Sequence, residues 1–511
     1  MREGISQMKF SLIGVLICSL VPVHAHAVSF LTFDPRSMAM GGAVIAIARP
    51  YNASLYNPAL VLPTDRETDW HYFTRPYVGA RLIDRDNFLD ALDHYIDNNA
   101  EQVFDERLAA AKAHYKAGTL NSTLLRNTAD AARQWQQDVS QLSNKPLRIS
   151  KSEGLSLSLN GEGNAWGGHF RNYFVLGSTI DIAPIDLTRI SQAVDLIGLI
   201  ADIVDQTKGT RDLAQALDLG HLEDLIIEAV DTQQVSEELE SYYDLPSVQA
   251  FVESSLELGR LLQSLDAYLD LDGFVTQLQD PNSLEEFPDL SDYLRYQIPE
   301  SFESTVSVQG ADIDETSISY AFRVFGSPKL QLGVNIKHLR ITTIDLSKPI
   351  GEFQMNDYKA PEHQLEHHAF NADLGVFYQY NHALSLGAVI KNILPDDYRT
   401  VRGNPIQYRP LLRIGASYVH SSFRFAADLD LTKNDPLGFD PNKQYLSLGV
   451  EYLIWQNTAL RVGARTNLVT GTSVPSLGLG VGSYSAHLDL AVTQSDTNDE
   501  LGAALQLGFR F

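Results

Sequence analysis

Apolar and polar residues alternate along the C-terminal part of the chain. In residues 423–431, Phe423, Phe425, Ala427, Leu429 and Leu431 share one parity, and Arg424, Ala426, Asp428 and Asp430 share the other. Leu446, Leu448, Val450, Tyr452 and Ile454 alternate with Ser447, Gly449 and Glu451, and Leu460, Val462 and Ala464 with Arg461, Gly463 and Arg465. Residues 484–493 and 501–511 repeat the pattern, with His487, Asp489, Gln506 and Arg510 on the polar face. A period of two predicts strands of a sheet with one apolar face. A soluble sandwich turns that face inward; a membrane barrel turns it to lipid and keeps polar residues in the lumen.

Three features select the barrel. Several segments run ten residues or more, near the ~9–11 a tilted strand needs to cross a bilayer. Short junctions (Gly482 and Ser483; 455–457; 420–422; 380–382; 326–328) alternate with long ones (496–499, 468–473, 432–443, 394–408, 346–368). Outer-membrane barrels have that rhythm, with the short turns periplasmic. The chain also ends on an aromatic residue, Phe511. The predicted strands are 69–80, 151–161, 164–182, 315–326, 328–345, 369–380, 382–393, 409–420, 422–431, 444–455, 457–467, 474–482, 484–495 and 500–511. The expected fold is therefore an all-β transmembrane barrel of about 14 antiparallel strands, with both ends periplasmic. Residues 302–310 could form one further strand, which would break the parity, and are assigned to the insert before them.

Residues 84–145 and 186–300 have helical periodicity and read as large α-helical insertions in extracellular loops. In 248–269, Val248, Phe251, Leu258, Leu262, Leu265 and Leu269 recur at near-heptad spacing, with Pro246 as a start and Gly273 as a stop. Their apolar faces must be covered by each other, by the barrel rim or by a partner.

The first 27 residues read as an export signal. Arg2 and Lys9 precede an apolar run from Phe10 to Val23, and Ala25, His26 and Ala27 fit small-x-small cleavage after Ala27. The run is shorter than the ~18–20 residues of a membrane-spanning helix. Cleavage removes Cys18, the only cysteine, leaving no disulfide, no thiol catalysis and no Cys-bound metal.

After the signal, residues 33–43 read Phe33, Asp34, Pro35, Arg36, Ser37, Met38, Ala39, Met40, Gly41, Gly42, Ala43, and Asn57, Pro58 and Ala59 follow. Gly41 and Gly42 permit close backbone approach or positive φ, and Asn57 with Pro58 starts a turn. This pair of motifs, followed by an amphipathic β chain ending in Phe, resembles the FadL-type outer-membrane transporters. The helical insertions and length are most similar to the conjugal transfer TraF-like proteins. The resemblance implies a hatch over 28–66 that includes Gly41, Gly42, Asn57, Pro58 and Ala59. It plugs a 14-stranded barrel over 67–511 through which small hydrophobic molecules pass. It also implies that Phe511 is the signal read by the barrel-assembly machinery, and that outer-membrane lipids surround the barrel.

Candidate chemistry is sparse. Glu362, His363, Gln364, Leu365, Glu366, His367 and His368 place two histidines four apart and resemble one desaturase histidine box; a solvated loop is the plainer reading. Asp270, Leu271, Asp272 and Gly273 lack the full twelve-residue calcium pattern. Asp435 and Asp440 belong to a polar loop. No nucleophile elbow, His-Glu-x-x-His or phosphate loop is present, so no enzyme, cofactor or metal is expected. The predicted lumen-lining set is Arg413, Arg424, Asp428, Asp430, Glu451, Arg461, Arg465 and Asp489, with Arg323, Lys337, Asp373, Lys391, His487 and Arg510. These charges can pair across the lumen or line a polar route.

The 511 residues carry 39 basic and 64 acidic side chains, a formal −25, which argues against a nucleic-acid partner. Residues 186–300 hold 25 acidic and 5 basic of these, so one insert accounts for −20. Divalent cations or a basic partner could bind there, and an interaction role in conjugal transfer or envelope assembly is the alternative to uptake.

Overall fold

The computed structural model describes residues 30–510, apart from 31, 65–72, 75, 118, 162, 217–245, 266–302, 325, 326, 328, 435, 436, 438, 440, 456, 457, 483–485 and 498. The export signal, Phe511, the Asp270 motif, Gly273, Asp435 and Asp440 lie outside the described residues.

Fourteen antiparallel strands close into a barrel. Strand β1 comes in two pieces, Phe73–Thr74 and Tyr77–Ile83, both paired with the last strand, β14 (Glu500–Arg510). Between them run β2 (Leu147–Asn160), β3 (Asn164–Asp181), β4 (Thr305–Arg323), β5 (Leu330–Pro349), β6 (Gln364–Gln379), β7 (Leu384–Lys391), β8 (Leu411–His420), β9 (Phe423–Asp430), β10 (Tyr445–Trp455), β11 (Thr458–Asn467), β12 (Ser473–Gly482) and β13 (Ala486–Gln494), each bonded to its sequence neighbours. Closure leaves no free edge, a requirement for a sheet in lipid. No helix among the described residues is long and apolar enough to cross a membrane.

The cross-strand registers locate the lipid boundary. Leu159, Trp166, Tyr320, Val334 and Leu374 form one row across β2–β6. Two rows further along, Leu155, Phe170, Thr316, His338 and Phe370 align; in the next outward row stand Glu153, Asn172, Asp314, Arg340 and His368. The outward positions thus turn from apolar to polar within a few residues, as expected where a barrel leaves the hydrocarbon. Strands β2–β6 continue past this boundary and are 14–20 residues long. Strands β7–β14 span 8–11 residues. The wall is tall on one side and low on the other.

One expectation is corrected. Most of residues 302–310 belong to the wall: 305–310 are the first part of β4, which runs unbroken to Arg323 and so leaves the count at fourteen. The stretch was hard to read because its faces follow a different rule. Val306 and Val308 pack with Leu346 under Ile350, Phe353 and Tyr358 of the β5–β6 loop, so protein rather than lipid covers them.

The helical inserts leave the long-loop end. The first contains α3 (Phe88–Asn98), α4 (Ala100–Lys116) and α5 (Ser122–Gln141); the described parts of the second are α6 (Pro184–Ala216) and α7 (Pro246–Leu265). They cover one another in part. Ala129 and Ala132 of α5 pack on Val194 of α6, with Phe104 and Ile197 beside them. Arg126 reaches Asp202 at 2.8 Å and Asp205 at 2.9 Å, and Gln206 donates to the Ser254 carbonyl on α7 at 2.7 Å. Asp186 anchors the start of α6 to β4, accepting from the Ser304 amide at 2.7 Å and the Ser304 hydroxyl at 2.5 Å.

Candidate functional site

The N-terminal segment fills the barrel interior with three short turns of helix: α1 (Pro35–Ala39), α2 (Pro50–Tyr56) and the 3-10 turn Pro58–Val61. Each begins where its sequence dictates. Asp34 caps α1 by accepting from the Ser37 amide at 3.2 Å, and Pro35 supplies the fixed φ of a first helical position. Asn57 caps the 3-10 turn through the Ala59 amide at 3.2 Å, again with proline next. Lacking room for long helices, the plug depends on contacts with the wall.

Glycine makes the closest contacts possible. Gly41 has φ +64°, and a Cβ there would fall on the Ala464 backbone of β11. At Gly375 of β6, a Cβ would strike the Asn57 side chain and the Pro58 ring.

Charged groups on the wall then clamp the plug. Arg36 of α1 makes two hydrogen bonds to Glu451, at 3.1 and 3.2 Å, and donates to the Ile47 carbonyl at 2.6 Å. Glu451 also receives Arg461 at 2.8 Å and Arg424 at 3.5 Å, and Arg461 bridges onward to Asp489 at 2.7 Å, beside His487 at 2.9 Å. Asp428 accepts from the Val44 and Ile45 amides at 2.6 and 2.9 Å. Arg413 pairs with Asp430 at 2.5 Å, donates to the Gly42 carbonyl at 3.3 Å and stacks over Phe30 at 4.0 Å. Lys391 donates to the Leu55 carbonyl at 2.8 Å, and Asn57 donates to the Ile45 and Val376 carbonyls. Arg465 pairs with Glu500, and Lys337 with Asp373 at 2.8 Å. The Arg510 side chain lies outside the described residues.

The interior is not uniformly polar. Its largest buried apolar cluster starts in the plug with Phe30, Phe33, Leu55, Tyr56 and Val61. It continues over the inner face of the tall wall through Tyr173, Ile313, Leu339 and Ile341. It ends at Tyr398, Ile406 and Tyr408 on a hairpin, Asp396–Arg399 with Pro405–Tyr408, that interrupts the β7–β8 loop. Hydrogen bonds dock this hairpin on β5: Asp345 accepts from Thr400 at 2.6 Å and from Asn404 at 2.7 Å.

Sequence reasoning did not single out Arg81, Arg148, His169, Glu315, Asp345 or the role of Arg36. The signal for Arg148 and His169 was their parity within β2 and β3, which matches the inward set. Ser317, His169 and Glu315 also form a chain of 2.7 Å contacts, a nucleophile–base–acid order that no motif disclosed. All three are buried between β3 and β4, and Glu315 is further bound by Arg171 at 2.7 Å. A catalytic hydroxyl must be reachable by substrate, so this chain ties the wall together. The Glu362–His368 stretch does not place His363 and His367 on one helical face. His363 sits in a 3-10 turn and His367 in extended β6, where four residues span ~13 Å, and His367 contacts the Arg399 carbonyl at 2.8 Å.

The sequence profile of the family described as F plasmid transfer operon, TraF, protein matches residues 54–430. No curated protein matches the chain in sequence. The solved toluene transporter TbuX of Ralstonia pickettii is similar at 10% identity and a TM-score of 0.44, covering 94% of this chain and 98% of that one. The toluene transporter TodX of P. putida is similar at 9% identity and a TM-score of 0.42, covering 94% and 99%. With a match over most of its length, the chain belongs to the TraF family of the F plasmid transfer operon.

Proposed function

We propose that this protein is a passive outer-membrane route for small hydrophobic molecules, with the N-terminal segment as its hatch. The observation that carries the reading is the apolar cluster inside the barrel. The lumen of a membrane barrel is ordinarily polar, and a water-filled pore has no use for Phe33, Leu339, Ile341, Tyr398 and Tyr408 facing inward together. An apolar solute entering under the 396–408 hairpin would exchange contacts with these side chains and reach the plug without meeting bulk water. The hatch spans about 28–66; Gly41, Gly42, Asn57, Pro58 and Ala59 seat it, and the wall charges hold it closed. No covalent step is involved.

A second reading is partner binding by the acidic insert. It is favoured by the −20 charge of residues 186–300 and by Val252, Leu256 and Leu262 exposed on α7. A basic protein surface with apolar anchors fits that chemistry.

One experiment addresses both. Cells lacking the protein should accumulate a small apolar solute several-fold more slowly, and both the full chain and a chain deleted for 186–300 should restore the rate. Equal rates with and without the protein would sink the transport reading. Transport restored while capture of the partner is lost would assign the insert to binding.

A further inference from the structure

The wall steps down where β6 meets β7. The two strands pair from Gln379 opposite Ser385 up to Leu374 opposite Ile390. The Ile393 amide adds one bond to the Ala372 carbonyl at 3.0 Å. Asn371 then closes the ladder, accepting from the Leu394 amide at 3.1 Å and donating to the Leu394 carbonyl at 2.7 Å. The chain next enters the 396–408 hairpin, whose Arg399 carbonyl accepts from Thr343 at 3.3 Å and lies 2.8 Å from His367 Nε2. β6 extends above β7 to Gln364, paired with β5 in unbroken register.

The far side of this upper stretch is an open edge. Main-chain groups along a strand point alternately to its two neighbours. The Gln379 amide donates to the Lys329 carbonyl, just before β5, at 2.8 Å, and the Ala372 carbonyl faces the β7 side. Odd-numbered residues of β6 therefore turn to β5 and even-numbered ones away from it. Glu366, His368 and Phe370 direct their N–H and C=O groups into the gap above β7, and among the described residues no hydrogen bond reaches those groups. All three residues are exposed. The edge opens at the Phe370 row, where the wall leaves the lipid; within hydrocarbon an open edge is not tolerated. Donors and acceptors repeating at roughly 6.7 Å match one ligand above others, the backbone of another extended strand.

We propose that this edge is the docking site for an extended basic segment of a partner protein, which adds to the sheet beside β6 above the membrane. Charge selects the partner. The outward rows that end on Glu366 and His368 carry the carboxylates Glu153, Asp312, Asp314 and Glu366 against the cations Lys151 and Arg340. Arg340 pairs with Asp314, and Lys151 with Glu153 at 2.8 Å. Asp312, bonded to Asn172, and Glu366, beside His368, have no lysine or arginine partner among the described residues. Lysines or arginines at alternate positions of an added strand would meet that excess. On the other face of β6, Ala369 packs against the apolar cluster, so the intervening positions suit apolar or β-branched side chains. The edge is separate from α7 and from the lumen, so it stands or falls independently of the acidic insert and of what the barrel conducts.

The test uses purified full-length protein in detergent and a short fluorescent peptide that alternates lysine with valine and threonine. Wild-type protein should bind it saturably in an anisotropy titration at physiological salt. The same peptide N-methylated along its centre keeps its charge but loses its main-chain donors, and should bind at least ten-fold more weakly. His368→Pro removes one donor of the open edge and spares the β5 ladder, because that N–H points away from β5. It should weaken binding as much, while His368→Ala should not. Amide exchange at Glu366 and His368 should slow when the peptide is bound. Absence of binding would overturn the proposal, and so would equal binding of the methylated peptide, which would assign the attraction to charge alone. A wild-type dimer that His368→Pro dissolves would give the edge to a second copy of the chain, and would overturn it as well.

Discussion

At the scale of single residues, Arg36 and Glu451 show how the plug is held. Both are almost wholly buried, and Glu451 serves Arg36, Arg461 and Arg424 together. Removing one partner of a buried charge set is expensive, about 3–5 kcal/mol, because Arg36 and Arg461, left behind, are buried away from water. Glu451→Gln should therefore loosen the plug. Cys18 is the single cysteine of the sequence, so in a Cys18→Ser background a Ser54→Cys probe, whose native hydroxyl is buried without a hydrogen bond, can report this. Thiol labelling should be at least ten-fold faster in the double variant than with Glu451 intact; equal rates would mean that Glu451 does not hold the plug. Glu451 and Arg461 could be read from parity alone, because a strand fixes which face each residue takes. Arg36 could not: its partner lies 415 positions away, and no local rule reports so distant a contact.

At the scale of elements, strands of the low wall were legible almost to the residue because lipid covers one side and the lumen the other. The tall wall was less so, since loops cover the upper parts of β4 and β5 and apolar residues there mark protein contact rather than membrane. The capped start of α6 carries a prediction in pH. Burial pushes the Asp186 carboxyl up, but the Ser304 hydroxyl, the Glu303 and Ser304 amides and Arg189 outweigh it, so its pKa lies below the ordinary value. A depressed folded pKa contributes stability that is present above the ordinary carboxylate range, about 3.9, and is lost as pH falls through the folded value. Hydrogen exchange at residues 184–190, corrected for intrinsic rate, should accelerate below about pH 4. Asp186→Asn should show fast exchange already at pH 6 and little further change. The 396–408 hairpin hangs on a different carboxylate. Asp345→Ala strands the Thr400 and Asn404 donors, at a cost of about 1–3 kcal/mol. Trypsin should then cut after Arg399 or Arg402 roughly ten-fold faster or more, and unchanged cleavage would show that Asp345 does not hold the hairpin.

At the scale of the whole molecule, a tall half-wall carries both the apolar lining and the helical inserts, while a low half-wall carries most of the charged clamps. The plug touches both: Arg36 reaches β10 on the low side, and Asn57 meets β6 on the tall side. It comes first in the chain, yet it is surrounded by strands made last, including β14, which pairs with Phe73–Thr74 and Tyr77–Ile83 of β1. A finished cylinder of hydrogen-bonded strands offers no side door wide enough for a folded insert of some thirty residues. Assembly therefore has an order. The N-terminal segment must wait in the unclosed sheet while β10–β13 form around it, and the final zippering of β14 onto β1 encloses it, so sealing the cylinder and seating its contents are a single event.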